Sequence, residues 1–322
     1  MAAPAPTIRR VRRFLVGPTA SGKSAVAERL VLDAPAGAPP IELISMDSMQ
    51  VYRGLDILTA KPSPQERARA PILGLDLVEP SESFTVARYV TLCEEWERAA
   101  HERGATPIFV GGTPLYLKAL THGLFEGPPA DPALRRELNE RAEREGDEAL
   151  HADLLRVDPA AAARIHPRDR KRIVRALEVF AQTGERISDL QRQWTLSHGF
   201  PRVLVGLSVP RDELHRRIAA RVDHMLSAGA LEEVRRISAA GGFSREAAAA
   251  VGVSELLDVL LGQASLEEAR ETMIRRTREL ARRQGTWFRS FPELHGIDAG
   301  APRSIAEIAQ EARRSLELIP AA

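Results

Sequence analysis

Short apolar runs alternate along this chain with longer stretches whose apolar residues recur every three or four positions. The runs fall at Arg13–Val16, Ile41–Ser45, Leu73–Val78, Pro107–Gly111 and Val203–Val209, each of strand length and bounded by turn-forming residues. Helical spacing covers Lys23–Leu32, Val86–Arg103 and Leu115–Leu120. This alternation predicts an α/β fold, a parallel sheet flanked by helices. The pattern changes from about Glu126 to Ser197. Pro128, Pro129 and Pro132 interrupt the chain, and polar helical segments follow at Pro132–Glu145, Asp147–Val157, Pro159–Ile165 and Arg170–Thr183. No convincing strand intervenes before Val203. The expected organisation is a core of residues 1–125 and 198–322 with an all-helical insertion at 126–197. Arg211–Ala239 and Ser265–Phe291 read as long helices returning to the core, and Ser304–Leu318 as one more.

Composition narrows the class. The 322 residues are 44% hydrophobic, as in a soluble globular protein, and no apolar run approaches the ~20 residues of a membrane span. Met1 to Arg13 lacks the apolar stretch of a secretory signal and reads as a frayed extension. Cys93 is the sole cysteine, so neither an intramolecular disulfide framework nor a cysteine-rich metal site is possible, and a cytoplasmic location is the default. A net charge of +1 says little about nucleic acid. The 4 lysines against 41 arginines say more, because a chain that uses Arg so freely keeps Lys where a compact point charge is needed. Lys23 fits that idea, and Lys61 and Lys171 become positions to watch.

Three strand ends lead into unusual polar sequence. The first, Gly17-Pro18-Thr19-Ala20-Ser21-Gly22-Lys23-Ser24, is a complete phosphate-binding loop between a strand and a helix. Its glycines let backbone amides converge on phosphate oxygens, and the helix that follows presents its positive end to the same anion. Lys23 adds a charge to the terminal phosphate, and Ser24 can ligate Mg²⁺. The second, Asp47 to Arg53, puts a carboxylate at a strand end, suited to ordering Mg²⁺ through water, to accepting a proton, or to capping a helix. The third, Gly111-Gly112-Thr113-Pro114, allows close backbone approach to a ligand and offers the Thr113 hydroxyl; it is equally a favourable helix start. Ligands of such sheets bind beyond the carboxyl ends of the strands, so the three ends are expected to share a cleft.

Basic runs form a second group of candidates. Arg168–Arg175 carries five cations in eight residues, with Arg168, Lys171, Arg172 and Arg175 at helical spacing, suiting either a phosphate backbone or a solvated, internally paired face. Arg217 and Arg221 share a face, which is mildly unfavourable without an anion. Arg275–Arg289 interleaves cations with Trp287 and Phe288, which suits base stacking or a core.

Taken together, Gly17–Ser24, Ser45–Arg53 with Asp56-Ile57 and Thr59–Pro62, Pro107–Leu120, His166–Gly184, Arg221–Val234 and Thr277–Arg289 resemble the tRNA dimethylallyltransferase, or tRNA isopentenyltransferase, family, in order and over nearly the whole chain. The resemblance implies a P-loop kinase-like core whose helical insertion grips the anticodon stem-loop of tRNA. It implies transfer of a dimethylallyl group from dimethylallyl diphosphate to N6 of adenosine 37, with Mg²⁺ as cofactor, by a cytoplasmic monomer. Asp47, Thr113, Lys23 and Arg221 are then catalytic. Gly17, Pro18, Thr19, Ala20, Ser21, Gly22, Lys23, Ser24 and Lys61 hold the diphosphate, with Ser24 on the metal. Asp47, Ser48, Met49, Gln50, Thr113, Arg135, Lys171, Arg172, Ile173, Val174, Arg175, Arg282 and Arg283 meet the tRNA. Leu58, Arg168, Val253-Ser254 and His295-Gly296 depart from the family's usual residues. Two rival readings stay open: a transferase acting on free adenine nucleotides, and an ATP-dependent small-molecule kinase.

Overall fold

A computed structural model describes residues 11–124, 127–191 and 201–318. The expected N-terminal extension up to residue 10 and both expected insertion boundaries, Glu126 and Ser197, lie outside these residues. The elements run β1 (Arg12–Val16), α1 (Lys23–Leu32), β2 (Ile41–Met46), α2 (Pro64–Arg69), β3 (Ile72–Leu73), α3 (Val86–Glu102), β4 (Thr106–Gly111) and α4 (Pro114–His122). Then come α5 (Pro132–Glu145), α6 (Asp147–Val157), α7 (Pro159–Ala162), α8 (Arg170–Thr183) and α9 (Ile187–Leu190). The chain closes with β5 (Arg202–Ser208), α10 (Arg211–Ser227), α11 (Ala230–Ala239), α12 (Val253–Leu260), α13 (Leu266–Phe288), β6 (Leu294–Asp298) and α14 (Ile305–Ser315). Two compact units result: Met1–Ala119 with Phe200–Ala322, and Leu120–Gly199. No helix among the described residues is long and apolar enough to cross a membrane.

The first unit is a six-stranded parallel sheet in the order β3-β2-β4-β1-β5-β6. Its strands are apolar on both faces, as a sheet covered twice requires. Leu15, Leu43, Ile108, Val205 and Ile297 pack on one side with Val26 and Leu30 of α1 and Ile308 and Ala312 of α14. The alternate residues Phe14, Ile44 and Phe109 are equally buried, and the Phe14 and Phe109 rings stack at 5.1 Å between paired strands. The connection from β1 to β2 steps over β4, and that from β3 to β4, which carries α3, steps back over β2. Right-handed crossovers therefore put α1 and α3 on opposite faces. The chain leaves β1 in one direction towards β2 and later in the other towards β5, so the ends of β1, β4 and β2 frame the switch point where such sheets bind ligands.

The second unit buries Ala142, Leu150, Leu154, Ile173, Val174 and Val179 among its own helices. Glu178 is fully buried there, accepting from Arg135 at 2.8 and 2.9 Å, Arg175 at 2.6 Å and the Asp131 amide at 2.8 Å. Burial pushes its carboxyl pKa up, but the bonds from Arg135 and Arg175 outweigh that and hold it below the usual value.

Several expectations are corrected. The run Leu73–Val78 is not one strand: β3 stops at Leu73, and Gly74 and Asp76 take positive φ values of 87° and 55° that turn the chain before Val78 bridges Tyr52. Arg211–Ala239 is two helices, because Gly229 at φ 100° stops the first and precedes the second. The helical segment expected to reach Ile165 ends at Ala162.

Candidate active site

The ends of β1, β2 and β4 open into one cavity of about 850 Å³ in the first unit. The phosphate loop curls through left-handed backbone at Ala20 (φ 63°) and Gly22 (φ 89°). It folds so tightly that a Cβ at Gly17 would lie 2.6 Å from the Ser21 hydroxyl and 3.1 Å from the Leu207 carbonyl oxygen. That Ser21 hydroxyl is buried and finds no hydrogen-bond partner among the described residues. Lys23, on the first turn of α1, reaches only the Pro18 carbonyl, at 3.4 Å. Desolvation lowers its pKa to about 8, with Asp47 opposing and Arg221 reinforcing the shift.

Asp47 stands directly beyond β2, where its Oδ1 accepts the Met49 amide at 2.9 Å. The bond closes an Asx turn, so the helix-cap reading is set aside. Thr113 stands beyond β4; its hydroxyl accepts the Ser48 amide at 3.0 Å, and its own amide reaches the Met46 carbonyl at 3.2 Å. β2 and β4 come close enough for this because Gly111, paired with Met46, has no Cβ; one would collide with the Met46 carbonyl. From the other side α10 brings Arg221 to the cavity, where desolvation lowers its pKa and Asp47 opposes the shift. Arg217 does not join it, because its guanidinium is bonded to Glu213 and the Ala299 carbonyl. Lys23 and Arg221, both desolvated, thus share Asp47 as a counter-charge beside the phosphate loop, while Glu28, Glu66 and Glu279 stand elsewhere on the cavity wall.

Other residues singled out from the sequence have protein partners of their own, on the cavity wall or away from it. The Lys61 side chain has no exposed surface, and its ammonium bonds to the Tyr52 carbonyl, Asp56 (2.8 Å) and Asp76 (2.6 Å). Lys61 lines the cavity expected to hold the diphosphate, but its ammonium already braces its own loop. Gln50 spends its amide on the Ser45 hydroxyl and on the Thr59 and Ala60 carbonyls. In the insertion, the Ile173 and Val174 side chains belong to the core rather than to a binding face. Arg135 and Arg175 are held by Glu178, so the expected four-cation face is reduced. Arg168 precedes α8 and lies 3.7 Å from Glu148, Arg172 pairs with Asp169 at 3.3 Å, and both are exposed, as is Lys171. On α13 Arg282 and Arg283 are exposed and Arg283 lines the cavity, while Phe288 is buried and the Lys118 ammonium sits over the Trp287 ring at 5.7 Å.

Two polar residues gave no signal in the sequence. Glu233 of α11, itself buried, accepts the amides of Asp56, Ile57 and Leu58 at 2.8, 2.7 and 3.1 Å, fixing the loop that leads to Lys61. Gln284 of α13 accepts the Thr19 amide at 2.8 Å and donates to the Gly112 carbonyl at 2.7 Å. The bare Gly112 therefore serves a protein side chain, since a Cβ there would lie 2.7 Å from the Gln284 amide nitrogen. Of the family departures, Leu58 lines the cavity, Val253 is buried, and the Ser254 hydroxyl accepts from Arg276.

The chain matches the family model for IPP transferases over residues 50–291. It is 47% identical over 287 residues to a tRNA dimethylallyltransferase of Geobacter sulfurreducens, covering 88% of this chain and 91% of that protein. The chain belongs to the tRNA dimethylallyltransferase family. It is accordingly an enzyme, a prenyl-group transferase. Solved structures agree: the tRNA isopentenylpyrophosphate transferase of Bacillus halodurans superposes with a TM-score of 0.68 at 37% identity, covering 95% of this chain and 97% of that one. A eukaryotic dimethylallyltransferase captured acting on tRNA superposes at 0.76 with 29% identity, covering 91% and 74%.

Proposed function

We propose that this transferase moves the dimethylallyl group of dimethylallyl diphosphate to N6 of adenosine 37 in the anticodon loop of tRNA, releasing diphosphate, and that it acts as a monomer. The observation that carries the reading is the convergence of a phosphate loop, two desolvated cations and Asp47 on one cavity. Lys23 and Arg221 are both desolvated, Asp47 is their shared counter-charge, and the adjoining phosphate loop holds the unpartnered Ser21 hydroxyl. An anionic leaving group supplies what these groups lack.

The chemistry follows from the charges. N6 attacks the allylic carbon as its bond to the diphosphate oxygen breaks, the electron pair leaving with the diphosphate. Lys23, Arg221 and the loop amides stabilise the charge that develops there. The exocyclic amine is barely basic, so it surrenders a proton during attack, and Asp47 accepts it. Thr113, bonded to the Ser48 amide, holds Asp47's loop in place. The adenine leaves its stack to enter the cavity. No group of three His, Cys, Asp or Glu side chains among the described residues forms a cation cage. Mg²⁺ needs no such cage, and the exposed Ser24 hydroxyl on the cavity wall is the residue that would hold it. Bound there, the ion would neutralise part of the diphosphate charge.

The deciding experiment offers labelled dimethylallyl diphosphate with either tRNA or AMP. Label in tRNA supports the reading. Label in AMP alone would move the protein to the free-nucleotide class, and robust tRNA-independent ATP hydrolysis would favour a kinase.

A further inference from the structure

Sheet hydrogen bonding ends at Val16, Met46 and Gly111, short of the residues proposed to do the chemistry. Beyond those points the Thr113 amide still reaches the Met46 carbonyl, but the phosphate loop is tied to the Gly112 loop through a side chain. Gln284 reaches from α13 into the gap between two of them and is 92% buried (8% exposed). Its carbonyl oxygen takes the Thr19 amide of the phosphate loop, and its amide nitrogen gives to the Gly112 carbonyl. Thr113, the next residue, accepts the Ser48 amide, and Ser48 adjoins Asp47. A continuous chain of bonds therefore links the diphosphate anchor to the proposed base.

We propose that Gln284 is a positioning residue, whose carboxamide sets the separation between the phosphate loop and the loops bearing Thr113 and Asp47. The inference rests on the prenyl-transfer reading above. The position asks for one donor and one acceptor on a single neutral, planar group. Glutamate would turn a carboxylate oxygen on the Gly112 carbonyl, lysine would offer no acceptor to Thr19, and methionine fills the space with neither bond. The gap matters because displacement of reacting groups by about 1 Å can cost on the order of 100-fold in rate.

The test compares wild type with Gln284→Met and with Gly112→Ala, which attacks the same contact from its other partner. Transfer to tRNA is measured per folded enzyme, counted by diphosphate binding. Gln284→Met should lower kcat by roughly 30–100-fold while KM for dimethylallyl diphosphate and Kd for tRNA stay within about threefold. Gly112→Ala should show the same split, and the double variant should be scarcely worse than either single one, because both break one contact. A kcat within threefold of wild type in Gln284→Met overturns the proposal, as do losses confined to KM or multiplying in the double variant. If Gln284→Met does not fold, Gly112→Ala decides by itself: normal kcat refutes the role. If wild type itself moves no label to tRNA, the underlying reading fails instead.

Discussion

At the scale of single residues, Lys23 and Arg221 share one counter-charge at the phosphate loop, Asp47. Asp47→Asn removes the base and should cut turnover by roughly 10²–10⁴-fold. It also removes the shared counter-charge of Lys23 and Arg221, so dimethylallyl diphosphate should bind as well or slightly better. Rapid-quench turnover with an equilibrium binding titration separates the two effects, and turnover within threefold of wild type would clear Asp47 of the role. Lys23 gives a pH test. Its pKa of about 8 in the free protein means that the ammonium is mostly charged at pH 7 and mostly neutral at pH 9. Diphosphate favours the charged form, so binding takes up a proton above pH 8, and affinity should fall there towards tenfold per unit. Lys23→Arg, charged throughout, should lack that component. Calorimetry in two buffers of different ionisation enthalpy at pH 8.5 reads the proton directly; identical heats after dilution correction would contradict the assignment.

At the scale of elements, α8 divides its charges between two jobs. Arg175 holds buried Glu178, whereas Lys171 and Arg172 are exposed. Reversing Lys171 and Arg172 to Glu should weaken tRNA binding at least tenfold and make its salt dependence shallower by about one phosphate contact per charge removed. An unchanged slope in filter binding at two salt concentrations would mark a merely solvated face. Glu178→Ala should instead destabilise the insertion by about 3 kcal/mol, measurable by urea unfolding, because it removes a buried carboxylate that accepts from Arg135, Arg175 and the Asp131 amide together. The same contrast explains what the sequence could disclose. The phosphate loop was legible because its chemistry lies in eight adjacent residues. The central strands were legible because burial on both faces leaves plain apolar runs. Strand β6 was not, because His295 and Gly296 break its pattern at an exposed sheet edge. Gln284 could not be told from its arginine neighbours because its partners lie 265 and 172 positions away. The charge run on α8 and a pairing with Glu178 were visible, but not that Glu178 is buried and shared with Arg135, 43 positions away on α5.

At the scale of the whole molecule, the catalytic unit is assembled from both ends of the chain. β1 has β4 on one side and β5 on the other, and Arg221 and Gln284 arrive from helices that follow the insertion. A fragment of residues 1–199 carries the entire phosphate loop and Asp47 but lacks β5, Arg221 and Gln284. It should bind diphosphate at least 100-fold more weakly than the full chain in fluorescence titration, an order of magnitude consistent with losing a buried counter-charge and the loop's support. Near-normal affinity would mean that the loop is competent alone.

The discontinuous core also has a consequence for synthesis. A ribosome delivers β1, β2 and β4 first, then the insertion, and only later the strands that complete the sheet. The insertion buries its own apolar residues, so it can condense as it emerges, while the central strand waits with one edge open. The nascent chain therefore passes through a stage in which its largest apolar surface is exposed beside an already finished neighbour. Slower translation between residues 200 and 300 should then lower the share of chains that reach the active fold, a yield readable as transferase activity per chain synthesised.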